Sequence, residues 1–128
     1  MTSIYGAGPV VAATILGEVV DVRRYRSRHA FAAANGSAPI PASSGRTSRH
    51  RLNRSGNRTL NRALYTIAIT QIRADTEGRA YYLRKRAEGK TAREALRCLK
   101  RRLSDVIYRT LHEDLAAAES SQALPQAA

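Results

Sequence analysis

The chain has 128 residues, of which 22 are lysine or arginine and 10 are aspartate or glutamate, giving a formal net charge of +12. This length predicts one compact domain with a modest hydrophobic core. The charge excess excludes an ordinary neutral module and indicates a polyanionic partner. A single cysteine, Cys98, excludes an intramolecular disulfide framework and a cysteine-rich zinc site.

The positive charge is concentrated in one stretch of the chain. No acidic residue lies between Val22 and Ala74, and that interval contains 11 arginines. Such a stretch repels itself unless a polyanion neutralises it, so it is predicted to face phosphates. From Asp75 onward both signs are mixed, which predicts solvated helices with local ion pairs. The expected pairs are Glu77 with Arg79, Glu88 with Lys90, and Glu94 with Arg97.

The first half of the chain contains two predicted helices and a long loop. Pro9 is suited to a first helical position, and an apolar stripe runs from there to about Val20. Ser27 can cap a short second helix that Gly36 ends. The stretch from Ser37 to Ser55 has two prolines and no apolar periodicity, which predicts a loop.

Three further helices are predicted after this loop. Ser55 or Asn57 caps the first, whose inward face is Leu60, Leu64, Ile67, Ala68, Gln71 and Ile72. Thr76 opens the second, which ends at Gly89. Residues 91–94 form a capping box that begins the third. Its inward residues are Ala95, Leu96, Leu99, Leu103, Val106, Ile107 and Leu111. The sequence thus predicts an all-α domain over residues 1–115 and a disordered tail over 116–128.

Two short motifs could contact a nucleic-acid backbone. Gly6-Ala7-Gly8 fits the hairpin of a helix-hairpin-helix-like N-terminal element, whose backbone N–H groups bind a phosphate. A plain helix-starting turn is the alternative. Ser43-Ser44-Gly45 lies in the basic loop, where a serine hydroxyl could attack a phosphodiester beside guanidinium groups, although it also resembles a flexible linker. The candidate phosphate-binding arginines are Arg46, Arg49, Arg51, Arg54, Arg58 and Arg62.

No metal-ligand spacing is present in the sequence. The histidines His29, His50 and His112 are scattered, and a helix start explains Asp75 and Glu77 better than a shared cation does. We therefore expect neither a metal nor a cofactor in this domain.

Several of these stretches, in this order, resemble the C-terminal domain of the insertion-sequence-110 (also 116/902) transposases, which are DEDD-type enzymes related to Piv-like DNA invertases. The matching stretches are Ile4–Pro9 with Ala12 and Ala13, Gly36–Pro39 with Ser44–Gly45, Leu52–Asn57 with Leu60–Leu64, and Gly89–Lys90. The resemblance covers Ile4 to Leu115. Ala7 and Ser37 depart from the family pattern, which usually has a branched residue and a leucine at these positions.

The resemblance implies a DNA transposase in which Ser44, five residues after Pro39, is the nucleophile rather than its neighbour Ser43. It also implies an N-terminal RuvC-like half, in cis or in trans, whose four acidic residues bind a divalent metal such as Mg²⁺. DNA, a structured guide RNA and further copies of the protein are the implied partners. No acidic tetrad can be assembled here, so we expect a truncated copy or a fragment that acts in trans.

Two other functions fit the same residues. A nucleic-acid-binding module or remnant could grip DNA or RNA without catalysing a reaction. In a helical assembly domain, the positive charge would reflect only the amino-acid composition and would have no role in binding. Since neither a membrane span nor a signal peptide is recognisable, the chain is predicted to be cytoplasmic in a bacterial cell and associated with the nucleoid.

Overall fold

The structure is a computed structural model that describes residues 1–38 and 56–123. These ranges contain five α-helices and no strand, which confirms the predicted all-α class. The helices are α1 (Pro9–Val19), α2 (Arg28–Asn35), α3 (Arg58–Ile72), α4 (Glu77–Ala87) and α5 (Ala92–Ala123), with a 3₁₀ turn at Val22–Arg24. Within the described ranges, no helix is both long and apolar enough to cross a membrane.

Polar caps set the beginnings of the helices close to the predicted positions. Ser27 accepts a hydrogen bond from the Ala30 amide at the start of α2. Asn57, and not Ser55, caps α3. The predicted capping box forms at α5, where Thr91 and Glu94 each accept the other's backbone N–H, at 3.1 and 2.8 Å. The Thr91 amide stabilises the Glu94 carboxylate, which lowers the pKa of Glu94.

Helix α5 is the centre of the fold because α2, α3, α4 and the 3₁₀ turn all pack on it. Its buried stripe matches the predicted inward face and consists of Ala95, Leu99, Leu103, Ile107 and Leu111. Helix α3 supplies the opposing apolar face and also carries α1. The longest helix therefore fixes the positions of the other elements.

An aromatic cluster joins the 3₁₀ turn, α2 and α5. The ring of Phe31 lies edge-on to Tyr25 at 5.1 Å and also packs against Tyr108 at 5.8 Å between centroids. The Tyr108 hydroxyl donates to the Tyr25 carbonyl oxygen at 3.2 Å. Tyr108 therefore has a structural role, since such aromatic pairs add to the burial of their rings.

The last helix is longer than the sequence indicated. It extends to Ala123, so the predicted disordered tail was wrong over residues 116–123, while residues 124–128 lie outside the described ranges. Alanine has a high helix propensity, which favours continuation through 116–118. Glu119 also accepts a hydrogen bond from Arg23 of the 3₁₀ turn at 2.9 Å. The limit of the predicted domain at residue 115 stays a prediction.

The turn after α1 is strained at a valine. Val20 has φ 64° and ψ −68°, and the Asp21 amide donates to the Val19 carbonyl oxygen at 2.7 Å across it. This is a γ-turn with positive φ, a rare conformation that is especially costly for a β-branched residue. The valine side chain is 79% exposed, so its packing contacts offset little of the backbone strain.

Substitution of Val20 by glycine should therefore stabilise the chain. We expect the free energy of unfolding to rise by up to about 1 kcal/mol, because relief of backbone strain outweighs the entropy cost of glycine. Denaturant unfolding measures this change. The matched control is Val10→Gly, at an equally exposed position with helical backbone, which should not stabilise. A loss of stability in Val20→Gly as large as in the control would contradict the prediction.

Candidate nucleic-acid interface

Several predicted site residues lie in residues 39–55, which we call the serine-bearing segment. Those outside the described residues are Ser43, Ser44, Arg46, Arg49, Arg51 and Arg54. The structure does describe the residues that flank this segment on both sides. It also describes the remaining candidates, Gly6, Gly8, Arg58 and Arg62.

The chain on either side of the serine-bearing segment meets at one place, the segment base, formed by residues 34–36 and 56–57. The Asn57 amide donates to the Ala34 carbonyl oxygen at 2.6 Å. A methyl group added at Gly56 would lie 3.0 Å from that oxygen and 3.1 Å from the Gly36 nitrogen, closer than ordinary contact. Gly36 itself has φ +81°, which favours glycine. The residues that flank the segment thus form a closed base.

A buried pair of polar side chains anchors the segment base to α5. The side chains of Asn35 and Ser104 are completely buried, and the Asn35 amide donates to the Ser104 hydroxyl at 3.0 Å. The Asn35 side-chain oxygen accepts from the Ser37 amide at 3.0 Å. Loss of either partner would leave a buried polar group unsatisfied, at a cost of about 1–3 kcal/mol.

Two further asparagines extend this network to four helices, α1, α2, α3 and α5. Asn57 caps α3 and also donates to the Glu18 carboxylate on α1 at 2.8 Å. Asn61 donates to the Asn35 carbonyl oxygen at 3.0 Å and accepts from the Lys100 ammonium group at 2.9 Å. Each asparagine supplies both a donor and an acceptor, which is why this residue type can bridge several chain segments.

Lys100 places a partly buried positive charge beside the segment base. Burial, and to a lesser extent repulsion from Arg97, lowers the pKa of Lys100 below its ordinary value of 10.5. Its hydrogen bond to Asn61 keeps the ammonium group near the asparagine network. A cation at this position would favour the approach of a phosphate.

Arg58 and Arg62 continue the positive surface along α3. Arg58 is the first helical residue after the Asn57 cap, and Arg62 follows one turn later on the same face. Both side chains are exposed, as predicted. Neither makes an ion pair with a described acidic residue. They are therefore available to phosphates that reach the segment base.

The glycine turn before α1 is held tightly against α3. Gly6 has φ +93°, and a methyl group there would lie 3.2 Å from the Ile67 carbonyl oxygen. Gln71 donates to the Tyr5 carbonyl oxygen at 2.8 Å. Gly8 is the N-cap of α1 and has open space around its α-carbon. Gly6 is thus needed for packing, while phosphate binding by this turn and the helix-hairpin-helix motif stay predictions.

The three ion pairs named for the second half do not form among the described residues, although two other local pairs do, Lys85 with Glu88 and Arg101 with Asp105. Glu88 bonds to Lys85 at 3.2 Å instead of to Lys90. The Glu94 carboxylate accepts from the Thr91 amide of the capping box instead of from Arg97. Arg84, Arg97 and Arg102 are exposed and make no ion pair with a described acidic residue.

Sequence reasoning missed Asn35, Ser104 and Lys100, which anchor the segment base to α5. Ser104 lies on the apolar stripe of α5, one turn before Tyr108, and Lys100 lies one turn before Ser104. Two polar residues on an inward stripe were a usable signal of a buried polar contact. Asn35 gave no such signal because Ser104 and Asn61, which tie it to the other helices, are distant in the sequence.

No group of three or more His, Cys, Asp or Glu residues is placed to hold a metal ion in residues 1–38 and 56–123.

Comparison with known proteins identifies the family of this chain. The family model described as "Transposase IS116/IS110/IS902 family" matches residues 1–83. The chain belongs to this transposase family. The expectation from the quoted motifs is thereby confirmed at the level of the family, and no solved structure matches the chain.

Three insertion-element proteins are similar to nearly the whole chain. The IS110 uncharacterized 43.6 kDa protein of Streptomyces coelicolor is 38% identical over 115 residues, or 88% of this chain. The IS900 42 kDa protein of Mycobacterium paratuberculosis and the IS116 44.8 kDa protein of Streptomyces clavuligerus are each 36% identical over 87% of it. The aligned region is 28% of the length of each relative.

Removal of the α3 cap should affect both stability and nucleic-acid binding. Asn57→Ala loses the cap and the Glu18 contact, so we expect about 1–2 kcal/mol less stability and weaker binding of duplex DNA. Denaturant unfolding and fluorescence anisotropy measure the two effects. Thr76→Ala is the matched control, since it removes the cap of α4 away from the segment base. Equal binding by the two folded variants would contradict a role for the base.

The lowered pKa of Lys100 predicts a specific pH dependence of stability. Between the folded pKa and the ordinary value of 10.5, the unfolded chain binds more protons than the folded chain. The contribution of Lys100 to the free energy of unfolding therefore rises with pH through that interval. It decreases again as the pH falls through the same interval. Unfolding of wild type and Lys100→Met should show wild type gaining relative stability toward pH 10.5. A constant difference across this range would contradict the shifted pKa.

Proposed function

We propose that this chain is the serine-bearing, DNA-contacting part of a transposase that acts in DNA transposition and recombination. Membership of the transposase family supports the general function. The observation that carries the proposal is the closed segment base, in which the Asn57 amide and the Asn35–Ser104 pair hold the chain on either side of residues 39–55. Such anchoring presents a functional segment from a rigid support.

Ser44 is the proposed nucleophile. Its hydroxyl oxygen attacks a DNA phosphorus atom, its proton passes to a base, and the bond from phosphorus to one bridging oxygen breaks. The released DNA end carries that oxygen as a hydroxyl group after protonation. The serine–DNA ester keeps one phosphodiester-like bond, so the reverse attack can rejoin DNA without an external energy source.

The basic residues around the serine would stabilise this reaction electrostatically. Guanidinium groups bind two phosphate oxygens at once and neutralise charge that develops during attack. The proposed groups within the serine-bearing segment are Arg46, Arg49, Arg51 and Arg54, and those on α3 are Arg58 and Arg62. Gly6 and Gly8 are the proposed backbone contacts to a more distant phosphate.

The complete reaction requires parts that we assign to the remainder of a full-length protein. An N-terminal RuvC-like half with a DEDD set of acidic residues, in cis or in trans, would hold divalent metal, which stabilises charge on a scissile phosphate. A structured guide RNA and further copies of the protein are proposed partners, and association with the nucleoid is the proposed location. The chain alone is proposed to be incomplete as an enzyme.

A nucleic-acid-binding module without catalysis is the second candidate. The exposed Arg58 and Arg62 and the partly buried Lys100 favour binding of a polyanion whether or not Ser44 reacts. In that case the chain would bind DNA or RNA with strong salt dependence and form no covalent product.

A covalent adduct assay separates the two functions. The chain is incubated with nicked DNA that carries the element's own end, with and without a separately supplied RuvC-like half and guide RNA. We expect an adduct that resists denaturants for wild type and for Ser43→Ala. We expect none for Ser44→Ala, which should still bind DNA nearly as well as wild type.

Each outcome of this assay has a defined meaning. An adduct that disappears only in Ser43→Ala would identify Ser43, and not Ser44, as the nucleophile. Absence of an adduct under every condition, together with salt-sensitive binding, would contradict the catalytic role and favour the binding module. Binding that does not change with salt would contradict both candidates.

A further inference from the structure

Three cations of the α4–α5 hairpin converge on one tyrosine ring. The Arg102 guanidinium carbon lies 4.8 Å from the centroid of the Tyr81 ring. The Arg84 guanidinium carbon and the Lys85 ammonium nitrogen lie at 5.3 and 5.4 Å. We call these four residues the Tyr81 cluster. Distances below about 6 Å allow the ring to attract each cation.

The surroundings of the cluster are also strongly positive. Residues 77–102 contain ten lysines or arginines and three glutamates. Glu94 is engaged in the capping box, while Glu88 pairs with Lys85 at 3.2 Å. Arg84 and Arg102 are exposed and make no ion pair with a described acidic residue. Their charge is therefore uncompensated by the described part of the chain.

The cluster lies on a different face of α5 from the segment base. Lys100 and Ser104 are one helical turn apart, so they share the face that supports Asn61 and Asn35. Arg102 lies midway between them in sequence, about 200° around the helix from each. It consequently points toward α4 and the Tyr81 ring. One helix thus separates two positive surfaces.

Convergence of like charges is unfavourable unless an anion compensates it. The quadrupole of a tyrosine ring offers about 0.5–1 kcal/mol per exposed cation, which orients the groups but leaves their net charge in place. Since cations already lie over the ring, Tyr81 is unsuited to stacking on a base. Closely spaced guanidinium and ammonium groups match successive phosphate oxygens, which carry no sequence information.

We propose that the Tyr81 cluster is a second binding surface, which holds the phosphate backbone of a double-stranded nucleic acid independently of sequence. This surface is separate from the surface around the segment base. The proposal rests on the proposed function only because it takes nucleic acid as the partner. Tyr81 is a positioning residue, while Arg84 and Arg102 contact phosphates. Two surfaces on opposite faces of α5 would contact two separate stretches of the nucleic-acid phosphate backbone.

The test compares two variants that lose the same charge. Arg84→Gln/Arg102→Gln removes two cations from the cluster, and Arg93→Gln/Arg109→Gln removes two exposed arginines of α5 outside the cluster. Affinity of the 128-residue chain is measured against salt for duplex DNA and duplex RNA of one sequence. The cluster variant should make the negative slope of log affinity against log salt shallower by about 2, and it should weaken binding roughly tenfold. The control should change the slope by less than about 0.5.

Tyrosine variants test the positioning role separately. Tyr81→Phe keeps the ring face and should bind as wild type does. Tyr81→Leu loses the attraction that orients the cations, so its affinity should fall about threefold. Thermal unfolding is followed in parallel because Tyr81 is partly buried. Equal binding by the phenylalanine and leucine variants would contradict the positioning role.

Failure of this proposal is distinguishable from failure of the proposed function. If the cluster variant and its charge control lose the same affinity on both duplexes, the proposed second surface is wrong. Arg58→Gln/Arg62→Gln reports on the first surface and would still weaken binding if only the second surface is wrong. A loss on either duplex supports the proposal, and the probe with the larger loss identifies the nucleic acid.

Discussion

The hydrogen bond from the Asn57 amide to the Ala34 carbonyl oxygen determines how the rest of this fold can work. It joins the end of α2 to the start of α3, so the residues on either side of the serine-bearing segment meet at one point. Bringing together two parts of a chain that are distant in sequence costs entropy, which the packing around the base must offset. The glycines at 36 and 56 allow the close approach, and the buried Asn35–Ser104 pair fixes it to α5.

This arrangement divides stability and chemistry between different parts of the chain. The apolar stripe of α5 holds the helices together, whereas the asparagine network determines where the segment leaves the fold. Buried polar networks of this kind specify one geometry, because a shifted arrangement would leave donors and acceptors unsatisfied. Positive charge is then presented on both sides of α5, near Lys100 on one side and around Tyr81 on the other.

Most of the fold, but less of the site, could be predicted from the sequence. Local signals gave the helix starts at Pro9, Ser27, Thr76 and Thr91, because capping depends on neighbouring residues. Periodicity gave the buried face of α5 for a similar reason. By contrast, the contact between Asn57 and Ala34 joins the chain on either side of a long segment, which neither composition nor spacing reveals.

Two errors have related physical causes. Mixed charges after Asp75 correctly suggested local pairing but with the wrong partners, because Glu88 pairs with Lys85 and the capping box engages Glu94. Packing of α4 on α5 also brings Arg84 and Arg102 to one ring. Alanine-rich composition after residue 115 suggested a disordered tail, yet it continues a helix that already exists. In both cases a tertiary or neighbouring structure outweighed the local pattern.

Amide hydrogen exchange at the segment base would test the central claim most directly. The amides of Asn57 and Ser37 donate to Ala34 and Asn35, respectively. If the base is closed as described, both should exchange about as slowly as core amides of α3 such as that of Ile67, since exposure would require opening of the network. Exchange of these two amides at the rate of an unstructured chain, while Ile67 stays protected, would contradict the account.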